Sequence, residues 1–258
     1  MGLRFAPYSV SYETVTRLNK YADFLLYTST IITIAISLLG YFVLIPELKT
    51  TLIGLNILFI CGYVYLDNRA NYIYTKAEMS RRLDWLDNSF QTNFSGKKSK
   101  DYFTNDHLSP ALYKLAVNCF ENSYHTQFVI SKMLPKLFAQ TIIIVLIFII
   151  SAYVGNREII RMFFELSLPA ILIQKLFKAL YFSTRMANVH NQFKSLFNDL
   201  LKINFDDKTA ESLRDILEYE TALSWASTPL DSKFFWEHKD KLAQDWEELK
   251  KEYSIKSL

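Results

Sequence analysis

Glycine, cysteine and histidine are scarce in this chain of 258 residues, which holds six, two and four of them. Phosphate-binding loops and dinucleotide-binding turns need closely spaced glycines, and no such motif occurs. The two cysteines, Cys61 and Cys119, give no disulfide framework, and the histidines have no metal-ligand spacing. These absences leave no candidate catalytic residue, cofactor or metal, so we expect a protein that is not an enzyme.

Charge of either sign is not in excess, because 29 basic residues face 26 acidic ones. The net charge of +3 is weak support for nucleic-acid binding. Half of the residues are apolar and 16% are aromatic. This apolar content is higher than in an ordinary cytosolic enzyme and lower than in a compact multispanning transporter. The composition favours a small membrane part joined to an aqueous part of similar size.

Four long apolar segments are present, at about residues 24–45, 52–66, 137–155 and 159–181. The third has no charged residue over about 19 positions, and as a helix it would rise about 28 Å, close to the hydrocarbon thickness of a bilayer. It is also the least polar, so we expect it to face lipid. The fourth is interrupted by polar residues and proline, namely Glu165, Pro169, Gln174, Lys175 and Lys178.

Short connections join the segments into two hairpins, and the distribution of basic residues orients them. Lys49 is the only basic residue at the first tip, and Arg157 and Arg161 mark the second, whereas residues 67–136 carry ten. We therefore predict a multi-pass membrane protein with both termini in the cytoplasm. We expect no removable signal peptide, because the N-terminus has no compact apolar core.

The rest of the chain shows helical periodicity and no strand pattern, so the predicted fold is all-α, an integral membrane protein with two transmembrane hairpins. The predicted parts are 1–66, 67–136, 137–181 and 182–258, the second and fourth being cytosolic. Ser109 and Pro110 predict a helix start. Further helix signals are Asp206 and Asp207 as a cap, Thr228 and Pro229 as a start, and the stripe Leu242, Trp246, Leu249 and Tyr253. We expect Trp225, Trp236 and Trp246 to anchor the C-terminal core.

Polar residues inside the apolar segments have two readings. Thr30, Thr33 and Ser37 recur on one helical face, where small hydroxyl side chains serve either close helix packing or the lining of a water-filled pore. Asn56 is open to both interpretations. Glu165 is a pore candidate because a carboxylate within a membrane is costly unless it faces water or a partner. Alternatively it lies at the interface, or its segment never crosses.

A basic and aromatic region at residues 76–105 is the candidate ligand site. Arginine, lysine and aromatic side chains together can hold phosphates and stack bases. The residues proposed for ligand contact are Arg81, Arg82, Lys97, Lys98 and Lys100. The alternative is a juxtamembrane basic region that touches anionic lipid headgroups.

Two hairpins that flank a segment reading AEMSRRLDWLDNSFQT, with a tail reading EYETALSWASTPLDSKFFWEHKDKLAQDW, resemble a known family. The pattern is similar to the SMODS-associated four-transmembrane effectors and the related SLATT membrane effectors of bacterial antiphage defence. The Hailong-type systems, which pair a membrane channel with a nucleotidyltransferase, are similar in kind.

The resemblance implies a homo-oligomeric, pore-forming effector of the bacterial inner membrane, with the tetramer as a candidate assembly. A nucleotide or oligonucleotide second messenger from a companion nucleotidyltransferase would gate it, and opening would depolarise the membrane and arrest growth in abortive infection. One subunit is too small to enclose a pore, so several copies must surround it. The alternative is a non-conducting membrane anchor or scaffold that recruits a cytosolic partner.

Overall fold

The computed structural model describes residues 6–39, 46–97, 99, 105–154, 159–226, 230 and 232–256. Throughout these residues the fold is all-α, as predicted, and the described ranges contain no strand. The helices are α1 (Ser9–Leu39), α2 (Pro46–Phe90), α3 (Leu112–Val154), α4 (Ile159–Asp199), a 3₁₀ turn (Phe205–Lys208), α5 (Thr209–Ala226), α6 (Ser232–Glu237) and α7 (Lys239–Glu252).

The second, third and fourth helices are longer than the sequence predicted. α2 runs without interruption from Pro46 to Phe90, across the predicted boundary between residues 66 and 67. Pro46 takes the first helical position, where its missing N–H costs nothing. Pro135 and Pro169 lie inside α3 and α4 without ending them. Neighbouring helices and local adjustment can satisfy the backbone groups that a proline frees.

One helix start lies later than predicted. Ser109 and Pro110 were expected to begin the helix, but α3 begins at Leu112, and the first backbone bonds include Leu115 N to Ala111 O at 3.3 Å. The signal at Thr228 and Pro229 lies outside the described residues.

The chain divides into two compact units, which are described separately. The apolar unit comprises Glu13–Ile73 and Leu134–Lys178. The polar unit comprises the described residues of Met1–Tyr12, Tyr74–Met133 and Ala179–Leu258. The long helices contribute residues to both units.

The core of the apolar unit is formed by side chains from all four long helices. Its buried members are Ala22, Leu26, Tyr63, Phe148 and Leu172. α1 and α2 are antiparallel, since Leu25 contacts Gly62 and Ser29 contacts Asn56. They are also close, because a Cβ on Gly62 would lie 2.9 Å from Leu25 Cδ1. Glycine here allows the two backbones to approach.

The outside of the apolar unit is also apolar. Large exposed side chains occur on all of its helices, among them Ile31, Leu58, Ile143, Ile150 and Phe177. Among the described residues, two helices are long and apolar enough to cross a membrane, Glu47–Phe90 and Leu112–Ile150. Only 11% of the most apolar 18-residue window is buried in each, unlike the core helix of a soluble protein.

The polar unit has its own core, built around Phe120 of α3. Phe120 stacks on Phe197 of α4 with ring centroids 5.1 Å apart, and Trp246 of α7 packs edge-on at 5.5 Å. Leu242 and Trp246 are buried, which confirms that this part of the α7 stripe faces the core. Aromatic contacts of this kind add to the burial of apolar area.

Two of the three tryptophans expected in this core are not there. Trp246 is buried, but Trp225 and Trp236 are more than half exposed, so the prediction was wrong for both. Trp225 contacts Tyr181 at a centroid distance of 4.3 Å. Asp206 and Asp207, which were expected to cap a helix, lie in the 3₁₀ turn before α5.

Candidate functional site

A hydrogen-bonded polar cluster joins α1 to α2 inside the apolar unit. Ser29 Oγ donates to Asn56 Oδ1 at 2.5 Å, and Asn56 Nδ2 donates to Thr33 Oγ1 at 2.8 Å. All three residues are at most 5% exposed. Within one copy of the chain, Thr33 and Asn56 therefore make the contacts expected of helix packing. A pore-lining role for them remains a prediction.

The other pore candidates are less informative. Thr30 is buried and bonds the carbonyl of Leu26 on its own helix at 2.8 Å. The side chains of Ser37 and Glu165 lie outside the described part of the structure, although both residues belong to helices.

An ion pair that sequence reasoning missed links α1 to α4. Lys175 Nζ lies 2.9 Å from Asp23 Oδ1 and 5.2 Å from the centroid of the Tyr63 ring on α2. Both charged side chains are between a third and a half exposed. Lys175 was noted in the sequence only as an interruption of the fourth apolar segment. Its charge is compensated by a carboxylate and an aromatic face.

Three exposed aromatic residues lie at one level of the apolar unit. Leu25 contacts Gly62 and Ser29 bonds Asn56, so α1 and α2 are antiparallel. Asp23 contacts Lys175, and α1 enters the apolar unit at Glu13 whereas α4 leaves it after Lys178, so α1 and α4 are antiparallel as well. Counting along the helices from these contacts places Tyr21, Tyr65 and Phe177 within about one residue of the same height. Their exposed fractions are 63%, 69% and 65%, so all three project from the unit. We name this set the aromatic level.

From the aromatic level three of the four long helices have enough length to cross a bilayer. α1, α2 and α4 extend 18 or 19 residues further, to Leu39, Pro46 and Ile159, and rise about 27–28 Å. On α3, aligning Phe148 with Leu26 places the exposed Phe138 on the other side of this level, and the whole stretch from Phe138 to Val154 rises about 24 Å. These lengths approach the roughly 30 Å hydrocarbon core of a membrane.

Basic residues follow the aromatic level on its other side. Counted from the same contacts, Lys20 and Lys178 are at equal height, and Arg69 of α2 lies between Arg17 and Lys20. Phe148 shares the core cluster with Leu26, and counting from this pair puts Lys136 of α3 within about two helical turns of the height of Lys20. All of them are exposed. We name this set the basic belt: Arg17, Lys20, Arg69, Lys136 and Lys178.

The strongest buried charge in the polar unit is Arg81 of α2. Its Nη2 donates to both carboxylate oxygens of Glu220 on α5 at 2.8 Å, and its Nε donates to Glu78 at 3.0 Å. Its guanidinium lies 4.4 Å from the centroid of Trp85, which stacks on Tyr219. Burial alone would lower the pKa of Arg81, but the two carboxylates outweigh it and raise the pKa.

Arg82 shares this carboxylate. Its Nε lies 2.6 Å from Glu220 Oε2, and its side chain also bonds Ser224. Arg82 is about one third exposed, whereas Arg81 is 9% exposed. A ligand phosphate that binds either arginine would have to compete with Glu220. Their role in ligand contact remains a prediction.

Two buried aspartates hold the loop that follows α2. Asp87 accepts hydrogen bonds from Phe94 N at 2.6 Å, from Ser95 N at 2.7 Å and from the Ser95 hydroxyl, and Asp84 accepts from Ser99 N at 2.7 Å. Burial raises the pKa of Asp87, but these donors outweigh it and bring the pKa to about 2. The loop carries Lys97, which is exposed. Lys98 and Lys100 lie outside the described residues.

A buried histidine lies in the aromatic core of the polar unit. His190 Nδ1 is 3.4 Å from Ser123 Oγ, whose hydroxyl donates to the carbonyl of Phe120. Burial, and then the charge of Lys194, lower the pKa of His190 to about 4. The described ranges contain no group of three residues able to hold a metal ion.

These features define an all-helical protein with an apolar four-helix unit whose outer surface suits lipid. Comparison with protein-family models, with curated proteins and with solved structures gives no match.

Proposed function

We propose that this chain is an integral membrane protein whose apolar unit crosses the bilayer with four helices. One observation carries the proposal. The residues of the aromatic level share one height on three helices, and the residues of the basic belt follow together on one side of it. Aromatic and basic side chains concentrate where a protein passes through the membrane–water interface. Three helices of membrane length follow this level, and α3 supplies the fourth span because it is long and apolar enough to cross a membrane.

The ion pair supports a spanning fourth helix. A lysine within a span is costly, and it needs a partner or access to water. Lys175 has Asp23 as its partner, only a few residues from the aromatic level. By the positive-inside rule the basic belt places this end of the apolar unit in the cytoplasm, and the basic residues of the segment 67–136 assign that segment to the cytoplasm too.

We further propose that copies of the protein assemble into a channel that acts as a membrane effector in antiphage defence. This rests on the resemblance described above. The interior of one copy is filled by the core cluster and by the bonds among Ser29, Thr33 and Asn56. A conducting path would therefore lie between copies. It would be lined either by helix faces other than the one that carries Ser29, Thr33 and Asn56, or by these residues after their hydrogen bonds break.

Gating is assigned to the polar unit. A nucleotide or oligonucleotide from a companion nucleotidyltransferase would bind near the loop that carries Lys97, Lys98 and Lys100. Arg81 and Arg82 would contribute only if the ligand displaces Glu220. Such a displacement would loosen the contact between α2 and α5, which offers a physical route from binding to conformational change.

The alternative function is a non-conducting anchor or scaffold. It is favoured by the exposed apolar side chains of the polar unit, including Leu213, Leu217, Trp225 and Trp236. Exposed apolar surface commonly serves protein–protein contact. A cytosolic partner would bind the C-terminal helices in this case.

Ion flux through liposomes that contain the purified full chain separates the two functions. The channel proposal expects flux that depends on an added oligonucleotide mixture made by the proposed companion nucleotidyltransferase. Glu165→Gln should change cation selectivity or conductance, whereas Glu47→Gln, at the exposed start of α2, should not. An inserted protein that conducts under no ligand condition would leave only the anchor function.

A further inference from the structure

We propose that the basic belt binds the phosphate headgroups of anionic phospholipids in the cytoplasmic leaflet. The inference rests on the four-span insertion proposed above and names the lipid partner of that surface. The five belt side chains are exposed, and among the described residues none of them forms an ion pair with a carboxylate. Arg69 packs on the ring of Tyr72, 5.5 Å from its centroid, which leaves its donors open to a ligand.

The acidic residues near this height are Glu13, Asp23 and Asp67, and no ion pair in the described structure joins any of them to a belt side chain. Asp23 pairs with Lys175 instead. The segment of α3 at residues 134–154 and that of α4 at residues 166–178 contain no aspartate or glutamate. Lys136 and Lys178 therefore have no acidic neighbour along their own helices in the apolar unit.

The height of the belt matches the position of lipid phosphates. Exposed tyrosine and phenylalanine at the aromatic level mark the headgroup boundary. The belt begins within one helical turn of that level, on the side away from the apolar spans. Long lysine and arginine side chains reach phosphate oxygens from this depth while their methylene groups stay in apolar surroundings.

The distribution of the charges favours lipid over a small soluble anion. The belt cations project from four different helices, so no one phosphate could contact all of them. A ring of lipids around the unit can satisfy each cation separately. A basic residue near an anionic membrane surface favours binding by about five-fold.

The test compares how strongly spin-labelled phosphatidylglycerol and phosphatidylcholine are retained beside the full chain in phosphatidylcholine vesicles. The belt variant combines Lys20→Gln, Arg69→Gln and Lys178→Gln. The matched control combines Lys202→Gln, Lys241→Gln and Lys251→Gln, three exposed lysines of the polar unit. We expect the wild-type chain and the control to retain phosphatidylglycerol roughly two- to five-fold more strongly than phosphatidylcholine. The belt variant should retain the two lipids about equally.

Each other outcome has a definite meaning. Equal retention of both lipids by the wild-type chain would overturn the belt inference, as would a preference that the belt variant keeps. If the control variant lost the preference for phosphatidylglycerol as fully as the belt variant, the effect would come from net charge, and the belt inference would also be overturned. A chain that immobilises neither lipid, and that alkaline washing removes from vesicles, would refute the four-span proposal itself.

Discussion

Replacing Glu220 by glutamine should destabilise the polar unit far more than the same change at Glu218, two residues away on α5. Glu220 accepts two bonds from the buried Arg81 and one from Arg82. Glu218 pairs with Arg185 at 2.5 Å, and both of those side chains are about one third or more exposed. The two variants remove the same charge from the same helix and differ in the burial of the partner.

The magnitude follows from that difference in burial. Removing one member of a buried ion pair leaves an uncompensated charge and costs about 3–5 kcal/mol. Glutamine keeps the volume and one acceptor, so we expect about 3 kcal/mol for Glu220→Gln. An exposed pair contributes about 1 kcal/mol or less, which sets the expectation for Glu218→Gln.

Thermal unfolding of the full chain in detergent, followed by tryptophan fluorescence, measures both. At roughly 3 °C per kcal/mol for a chain of this size, Glu220→Gln should lower the midpoint by about 10 °C and Glu218→Gln by about 3 °C at most. Trp85 stacks on Tyr219, next to the altered residue, and reports on this region. Equal midpoints for the two variants would contradict the assignment of Arg81 as a buried, carboxylate-dependent charge.

Three further changes test individual contacts. His190→Phe should make the protein more resistant to acid. The pKa of His190 in the folded protein is about 4, below the usual 6.5, so the wild-type free energy of unfolding falls by about 3 kcal/mol as the pH drops through this range. The variant lacks this loss, and its acid-unfolding midpoint should lie at a lower pH. Asn56→Ala should cost about 1 kcal/mol in unfolding, whereas Asn68→Ala, whose amide bonds only its own helix, should cost less. Asp87→Asn should speed hydrogen exchange at Phe94 N and Ser95 N by about ten-fold or more, and unchanged exchange would contradict the loop contacts.

The sequence was sufficient where the signal is local. Helical periodicity predicted the all-α fold, and the α7 stripe predicted that Leu242 and Trp246 are buried. The uncharged stretch in residues 137–155 marked the most apolar helix, because a long apolar run has few alternatives. The helix start at Ser109 failed by a few residues, as capping signals often do, since helix ends depend on the contacts they make.

Contacts between distant residues could not be predicted. Arg81 and Glu220 are 139 positions apart, and Lys175 and Asp23 are 152 apart. A buried arginine or a lysine within an apolar helical segment favours a carboxylate partner, but the sequence contains 26 acidic residues and no local signal that selects one. For this reason Arg81 and Arg82 were interpreted as ligand contacts, whereas the structure places both beside an internal carboxylate.

Exposure of tryptophan was also beyond local reasoning. Trp225 and Trp236 have apolar bodies that suggested a core position, yet both are exposed while Trp246 is buried. An indole ring suits a core, a protein interface and a membrane boundary alike, so residue type alone does not decide among them.

Cysteine labelling in intact cells tests most directly whether the chain crosses the membrane four times, as proposed, with the polar unit in the cytoplasm. With Cys61 and Cys119 replaced by serine, single cysteines would be placed at Lys49, at Arg157 and at Lys202. A membrane-impermeant maleimide added outside should label the first two in intact cells and the third only after permeabilisation. Labelling at Lys202 from outside, or at Lys49 or Arg157 only after permeabilisation, would contradict the account.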